Sequence, residues 1–363
     1  MASRSPSLSI LVVCDTVGAT QHISFAQPLA DSIAAGDVVL AMVGHDPAWT
    51  DPVVCQALWE AHQADVLVLS RYTSGLAQGL IAAARRACKP VVFHIDDDLL
   101  HVPESLGRSK FEHYNAPERL AALRADMEAS DFVYASTAAL AAALKSSGIT
   151  TPIIAGDIYC SMDSESLLTS RPATGPVIGY MATGGHGADL DLVLPAVRRL
   201  MREIPDLRFE TFGTIGATQS LSEFGSRVGH HRGVPNYSLF LARLSELGWW
   251  VGIAPLEDTP FNRCKADTKW VEYTYAGLAV VAADLPVYHR ACADGAGLLA
   301  ADEQAWYEAL RALILNKDLR SGTVSAARSR LSARYSRDAL RRQLLGILST
   351  QSPKAGKLKS RQR

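Results

Sequence analysis

Between Ala254 and Asp284 the sequence reads APLEDTPFNRCKADTKWVEYTYAGLAVVAAD, a strand, a polar loop, a helix stopped by Gly277 and a second strand. Four basic or amide side chains, Asn262, Arg263, Lys265 and Lys269, gather near the start of that helix. A diphosphate requires such a set. Helix N–H groups and the helix dipole favour an anion, and each lysine adds a mobile point charge. Glu272 follows Lys269 on the same helical face, where a carboxylate can accept hydrogen bonds from the vicinal hydroxyls of a ribose. The alternative for that pair is an ordinary i,i+3 surface contact.

A second candidate lies in FHIDDDLLHVPES, where Asp96, Asp97 and Asp98 stand together at the carboxyl end of an apolar run. Clustered carboxylates beside a buried strand are costly unless they bind something. A divalent ion shared with a diphosphate is one reading, and a helix N-cap for at least one of them is another. His230 and His231 are adjacent on a predicted strand and point to opposite faces, so they do not form a joint metal site. Gly18 stands alone in CDTVGATQH, without the G-x-G-x-x-G of a dinucleotide site. No nucleophile–His–acid arrangement stands out. The six cysteines are scattered without a C-x-x-C, which reads as reduced, mostly buried thiols.

These groups work only if the chain brings them to one edge, and its patterning does so. Ser9–Cys14, Val38–Val43, Val66–Ser70, Val91–Ile95 and Phe132–Ala135 are short aliphatic runs without polar alternation, the pattern of strands buried on both faces. Between them lie helix-like stretches at Phe25–Ala35, Val53–His62, Leu76–Cys88 and Pro117–Ala129, and Ser136 or Thr137 can cap another from Ala138. A Ser/Thr/Pro-rich stretch, Ser161–Pro176, then interrupts the pattern as a linker. The alternation restarts with strands at Val177–Met181, Leu207–Phe212, Arg227–His231, Trp249–Ala254 and Ala279–Ala283. Helices are predicted at Ala188–Ile204, Tyr237–Leu247, Thr268–Ala276 and Glu303–Leu315. At about 150 residues per domain, 363 residues suggest two. The expected fold is α/β: two Rossmann-like, doubly wound parallel-sheet domains facing a central cleft, at 1–165 and 172–336.

Composition sets further bounds. A hydrophobic fraction of 48% and a charged fraction of 20% exclude wholesale disorder, and a net charge of −1 argues against a general nucleic-acid coat. No apolar run reaches the roughly 18 residues of a membrane span, and no signal peptide is evident, so a cytoplasmic location is expected. The basic tail, 351–363, reads as solvated and disordered. Weak attraction to the inner face of an anionic membrane is the sharper alternative.

The stretch from about Val177 to Tyr335 resembles the retaining glycosyltransferases of the GT-B fold, particularly family 4 and related bacterial polysaccharide enzymes. The pieces that carry the likeness are IGYMATGGHGADLDLVLPAV, the strand ending in Phe212–Gly213, RGVPNY at Arg232–Tyr237, GLAVVAAD, ADGAGLLA and the closing RYS at Arg334–Ser336. The resemblance implies sugar transfer from a nucleotide diphosphate donor to a hydroxyl of a glycan, a lipid-linked acceptor or a protein. It implies no metal, no other cofactor and no nucleic acid. It places Gly18, Gly184, Gly185, His186, Asn262, Arg263, Lys265 and Lys269 around the donor's diphosphate and sugar. Gly213, Val234, Tyr237 and Glu272 would surround the nucleoside. Asp97 or Asp98 would be the polar catalytic residue between donor and acceptor, with His22, Arg71 and Tyr72 on the acceptor side. A helix at 337–350, bearing Leu340, Leu344 and Leu345, would cross back onto the first domain.

Two departures stand out. The family's paired glutamates are separated by seven residues; the second matches Glu272 and the first falls at Cys264. The Arg and Lys usual after the first strand of the C-terminal domain are replaced by ATGGHGAD, which leaves His186, Lys265 and Lys269 to supply donors. They keep open a binding or scaffold protein without turnover and, further off, a nucleotide-sugar epimerase.

Overall fold

The structure is a computed structural model that describes residues 7–74, 77–161, 173–216, 218–234 and 236–349. Its strands form two six-stranded sheets in which every pairing is parallel. The first contains β1 (Leu8–Cys14), β2 (Val38–Gly44), β3 (Val66–Ser70), β4 (Val91–Ile95), β5 (Phe132–Ala135) and β6 (Ile153–Ala155), in the order β2-β1-β3-β4-β5-β6. The second contains β7 (Val177–Ala182), β8 (Arg208–Gly213), β9 (Val228–Arg232), β10 (Val251–Ala254), β11 (Ala279–Ala283) and β12 (Leu298–Ala300), in the order β12-β11-β10-β7-β8-β9.

The continuous apolar runs follow from burial on both faces. Leu11, Val13, Leu67, Leu69 and Phe93 pack into one core of the first lobe, and their neighbours Ile10, Val12, Val66, Val68 and Val92 into another. Leu344, Ile347 and Leu348 of the helix Arg337–Leu348 join that second core beside Phe25 and Leu29, so the end of the chain returns to the first lobe. Ser336 starts the helix by accepting a hydrogen bond from the Ala339 N–H. The second lobe has one large core around its own sheet.

Several boundaries differ from the sequence reading. The single helix expected at Ala188–Ile204 is two, Gly187–Asp191 and Leu194–Glu203, because Pro195 cannot donate within a helix and fits only its first turn. The helix expected at Phe25–Ala35 begins at Ala19 and passes through a π-helical stretch, His22–Ala26. β6 and β12 are three-residue sheet edges, too short to signal themselves. The segment after β4 also holds a short helix, Arg108–Tyr114, which buries none of its residues and so leaves no periodic trace. Most of the predicted linker and the whole basic tail lie outside the described residues. All six cysteines are free thiols. Among the described residues no helix is long and apolar enough to cross a membrane.

Candidate functional site

Each sheet has one point where successive strands begin to be added on the opposite side, between β1 and β3 in the first and between β7 and β10 in the second. The loops leaving such strands diverge and open a crevice at their carboxyl ends. The two crevices meet. Lys110 Nζ donates to the Gly184 carbonyl (2.9 Å), and Thr137 Oγ1 donates to the Cys264 carbonyl (2.8 Å). Phe261 and Cys264, from the loop after β10, are buried in the first lobe's core with Leu99, Leu100 and Val102. Gly185 adopts φ +98°, and a Cβ on it would stand 2.3 Å from the Leu106 carbonyl oxygen, so only glycine permits the lobes to touch there.

On the second lobe, the loops after β7 and β10 are tied together by Asp189. One of its oxygens accepts from His186 Nδ1 (2.8 Å) and the other from the Glu257 N–H (2.8 Å). Burial drives the His186 pKa down to about 4, against the pull of Asp189. The ring is therefore neutral near pH 7; since a carboxylate only accepts, Nδ1 holds the proton and Nε2 is left as an acceptor. Gly184 donates its N–H to Thr214 Oγ1 (2.9 Å). Asn262 is buried, with Nδ2 donating to the Glu257 carbonyl (3.0 Å) and Oδ1 unpartnered.

Lys265 and Lys269 have aromatic rather than carboxylate partners among the described residues. Lys265 stands 5.3 Å from the Phe261 ring centre and Lys269 5.9 Å from that of Tyr180. Burial, reinforced by the charge of Lys265, lowers the Lys269 pKa to about 8. Glu272 is not the surface partner of Lys269. It is buried and accepts from the Tyr237 hydroxyl (2.6 Å), and burial pushes its pKa up to about 7 against the effect of that hydrogen bond and of Lys269. Gly213, at φ +124°, ends β8 beside Gly233, and Val234 packs against the second lobe's core.

On the first lobe a cavity of about 560 Å³ opens at the β1–β3 switch, with Asp15, Gly18, Gln21, His45, Arg71, His113, Tyr114 and Arg119 in its wall. Its charges are paired. Arg71 holds Asp96 (2.7 Å) and Asp97 (3.1 Å), and these carboxylates keep it protonated although burial works against the charge. Asp15 accepts from the Thr73 N–H (3.1 Å) and Ser74 Oγ (2.7 Å), with Arg119 3.7 Å away. Beneath the floor, Gln21 Nε2 donates to Ser70 Oγ (3.0 Å), which meets His94 Nδ1 (3.0 Å). Burial, then the charge of Arg71, hold that imidazole neutral with a pKa of about 3.

The structure thus brings Gly184, Gly185, His186, Asn262, Lys265 and Lys269 to one edge, and Asp97 with Arg71 to the edge opposite. Other candidates go elsewhere. Arg263 turns to solvent and grips Asp258 with two hydrogen bonds, of 2.5 and 2.7 Å. His22 is exposed, and its neighbour Gln21 enters the cavity wall instead. Tyr72 is fully buried, its hydroxyl against His45 Nδ1 (2.9 Å), so it supports the cavity from below. Gly18 lies in the first-lobe cavity, its N–H taken by Gln21 Oε1 (2.9 Å), away from the lysines. Asp98 caps no helix; it is buried and accepts from His101 Nδ1 (2.9 Å). Among the described residues no three His, Cys, Asp or Glu side chains gather to hold a metal. Lys110, Asp15 and Arg119 were not legible as site residues, because their segments carry no motif and only the topology unites them.

No protein-family model and no curated protein sequence matches this chain. Solved structures do match along nearly its whole length. HepE from Anabaena, solved with UDP and glucose, superposes with a TM-score of 0.68 at 16% identity, over 94% of this chain and 100% of that one. A glycosyltransferase from Rickettsia africae gives 0.60 at 12% identity, over 95% and 98%. A UDP-forming α,α-trehalose-phosphate synthase from Burkholderia xenovorans gives 0.59 at 14% identity, over 94% and 98%. The fold is GT-B.

Proposed function

We propose that this protein is a retaining glycosyltransferase of the family 4 type that acts in glycan or glycoconjugate assembly. The second lobe (172–336) would hold a nucleotide diphosphate sugar. The first lobe (1–165 with 337–350) would offer the acceptor hydroxyl of a glycan, a lipid-linked sugar or a protein. The observation that carries this reading is the meeting of two lysines without a carboxylate partner among the described residues, Lys265 and Lys269, with the buried Glu272–Tyr237 pair, opposite a polar cavity on the other lobe. The GT-B fold and the UDP-bound neighbour agree with it.

In such a transfer the bond from the anomeric carbon to the phosphate oxygen breaks, and the acceptor oxygen bonds to that carbon on the same face. The hydroxyl proton passes to the departing phosphate. Lys265 and Lys269 would stabilise the charge that develops on the leaving diphosphate, which is where fixed cations accelerate the step. Glu272 would accept from the ribose hydroxyls. His186, neutral and with Nε2 free to accept, suits a sugar hydroxyl better than a phosphate oxygen. Asp97, anchored by Arg71, is the carboxylate nearest the reacting centre on this reading, while Asp98 steadies its loop through His101. No step requires a metal. The basic tail suits an anionic lipid surface, which would bring the enzyme to a lipid-linked acceptor.

One observation favours a second reading, nucleotide-sugar binding without turnover. Cys264 replaces the family's first glutamate and is packed into the first lobe's core, where it reaches no sugar. Thermal unfolding with UDP, GDP and ADP, followed by sugar-release and transfer assays in excess chelator, tests both. A ligand at 100 times its dissociation constant adds about 2.7 kcal/mol of stability. Stabilisation with turnover in chelator is expected. Stabilisation without turnover supports the binding protein, and no stabilisation by any of the three ends both readings.

A further inference from the structure

We infer that Lys110, on the first lobe, is a ligand to the donor's diphosphate, so that the anion site is complete only when both lobes contribute. This rests on the donor-site reading above. Lys110 belongs to the helix Arg108–Tyr114, which buries no residue of its own, so its side chain is placed by what it reaches. It reaches across the cleft, and Nζ donates to the Gly184 carbonyl at 2.9 Å, in the loop that presents His186. The contact of Gly185 with the Leu106 carbonyl brings the two backbones together immediately beside it.

Lys265 is the charged neighbour that links this ammonium to Lys269, since it acts on both. Although the residue as a whole is exposed, partial desolvation of its ammonium lowers the Lys110 pKa, helped by Lys265 and Arg71 and opposed by Asp97. Lys110 on one lobe and Lys269 on the other therefore both feel the charge of Lys265, and none of the three has a carboxylate in ion-pair range among the described residues. Like charges held together repel, and an anion placed among them reverses the sign of the interaction. A lysine on one carbonyl still has two N–H groups to offer. Arg71, the other first-lobe cation near this edge, is already occupied by Asp96 and Asp97.

Titration calorimetry of UDP, GDP, ADP and the matching monophosphates against the wild type, Lys110→Ala and Lys110→Gln tests the inference. Lys110→Gln keeps an N–H donor, one bond shorter in reach, and removes the charge. Both variants should bind the preferred diphosphate about tenfold more weakly, the loss of one charge-assisted hydrogen bond, with the monophosphate changed less than twofold. Unchanged diphosphate affinity in both variants, or wild-type affinity in Lys110→Gln alone, would reduce Lys110 to a clasp between lobes and overturn the inference while leaving the donor site standing. A wild type that binds none of the diphosphates overturns the donor site and this inference together.

Discussion

The same topological device occurs twice in this molecule and is wired differently each time. At the β1–β3 switch the charges are neutralised within the wall: Arg71 by Asp96 and Asp97, and Asp15 by three N–H or O–H donors with Arg119 nearby. At the β7–β10 switch Lys265 and Lys269 stand over aromatic rings with no carboxylate in ion-pair range among the described residues, and Glu272, one helical turn beyond Lys269, is occupied by Tyr237. A self-neutralised hollow offers donors and acceptors without a net field, which suits a polyol. Lysines left without carboxylates attract an anion. The open parallel sheet supplies the crevice in both lobes, and the pairing of a few side chains decides what each accepts.

The largest test of that contrast compares Lys269→Met with Arg119→Met. The first should raise the dissociation constant of the nucleoside diphosphate by tenfold to about a hundredfold, in line with roughly 1.5–3 kcal/mol for a hydrogen bond to a charged group. The second should leave it within about twofold and depress transfer to the acceptor. Calorimetry and a transfer assay on both variants read the difference. Equal losses of donor affinity would mean that the two crevices form one site and that the contrast is wrong.

The sequence carried the scaffold further than the site. Val66–Ser70, Val91–Ile95, Phe132–Ala135 and Ala279–Ala283 are legible to the residue because burial on both faces makes them runs of apolar residues without polar alternation, Ser70 and His94 being buried exceptions. The lysines of the second lobe were legible because one short loop and one helix carry them. Arg263 is placed away from these lysines, and nothing in its spacing shows that Asp258 turns it outward. Lys110 was missed for the opposite reason. Its partner Gly184 lies 74 residues away along the chain, and only the docking of the lobes makes them neighbours. Cys264 shows both sides: its identity was a visible departure from the family pattern, but its burial against Leu99 and Leu100 required the fold.

A smaller effect concerns pH, and its two limbs have separate causes. Glu272, raised to about 7 by burial, must lose its proton to accept from a ribose, so donor affinity should rise as pH rises through about 7. Lys269, lowered to about 8, must keep its proton to hold a phosphate, so affinity should fall above that value. The expected profile is a narrow maximum between them. Glu272→Gln should flatten the acid limb and Lys269→Met the alkaline one. Stability without ligand should move the other way. The folded protein holds the Glu272 proton where the unfolded chain has lost it, so this group's contribution falls as pH rises from 4.5 to about 7. The unfolded chain keeps the Lys269 proton where the folded protein has shed it, so the contribution of that group rises from about 8 to 10.5. Calorimetric affinities and denaturant titrations across this range would show opposite trends in each window; parallel trends would detach these two groups from the donor.

The smallest expected effect is in shape. Two strands of chain pass between the lobes, one near Tyr159–Ser161 and one near Tyr335–Arg337. They are stitched together by Tyr159 Oη to the Ser336 carbonyl (3.1 Å) and Arg337 Nε to the Ser161 carbonyl (3.1 Å). That double crossing restricts the motion to a hinge without locking it. Beyond it, among the described residues, the lobes are held by Lys110 on Gly184, Gly185 against Leu106, Thr137 on Cys264, Arg290 on Asp157 (2.7 Å) and the Phe261–Cys264 insertion. Interfaces of this kind between parts of one chain generally allow relative motion, and a ligand favours closure only through contacts it makes with both sides. A donor gripped by Lys265 and Lys269 on one lobe and by Lys110 on the other makes such contacts. Saturating nucleoside diphosphate should therefore reduce the radius of gyration in solution scattering. Phe261→Asp sharpens the measurement, because a carboxylate in the first lobe's core is costly and should hold the lobes apart in both conditions. If the wild-type curves with and without ligand coincide while Phe261→Asp is visibly expanded, the cleft is already closed before the donor arrives, and the lysines of the two lobes would be a site preformed by docking of the lobes.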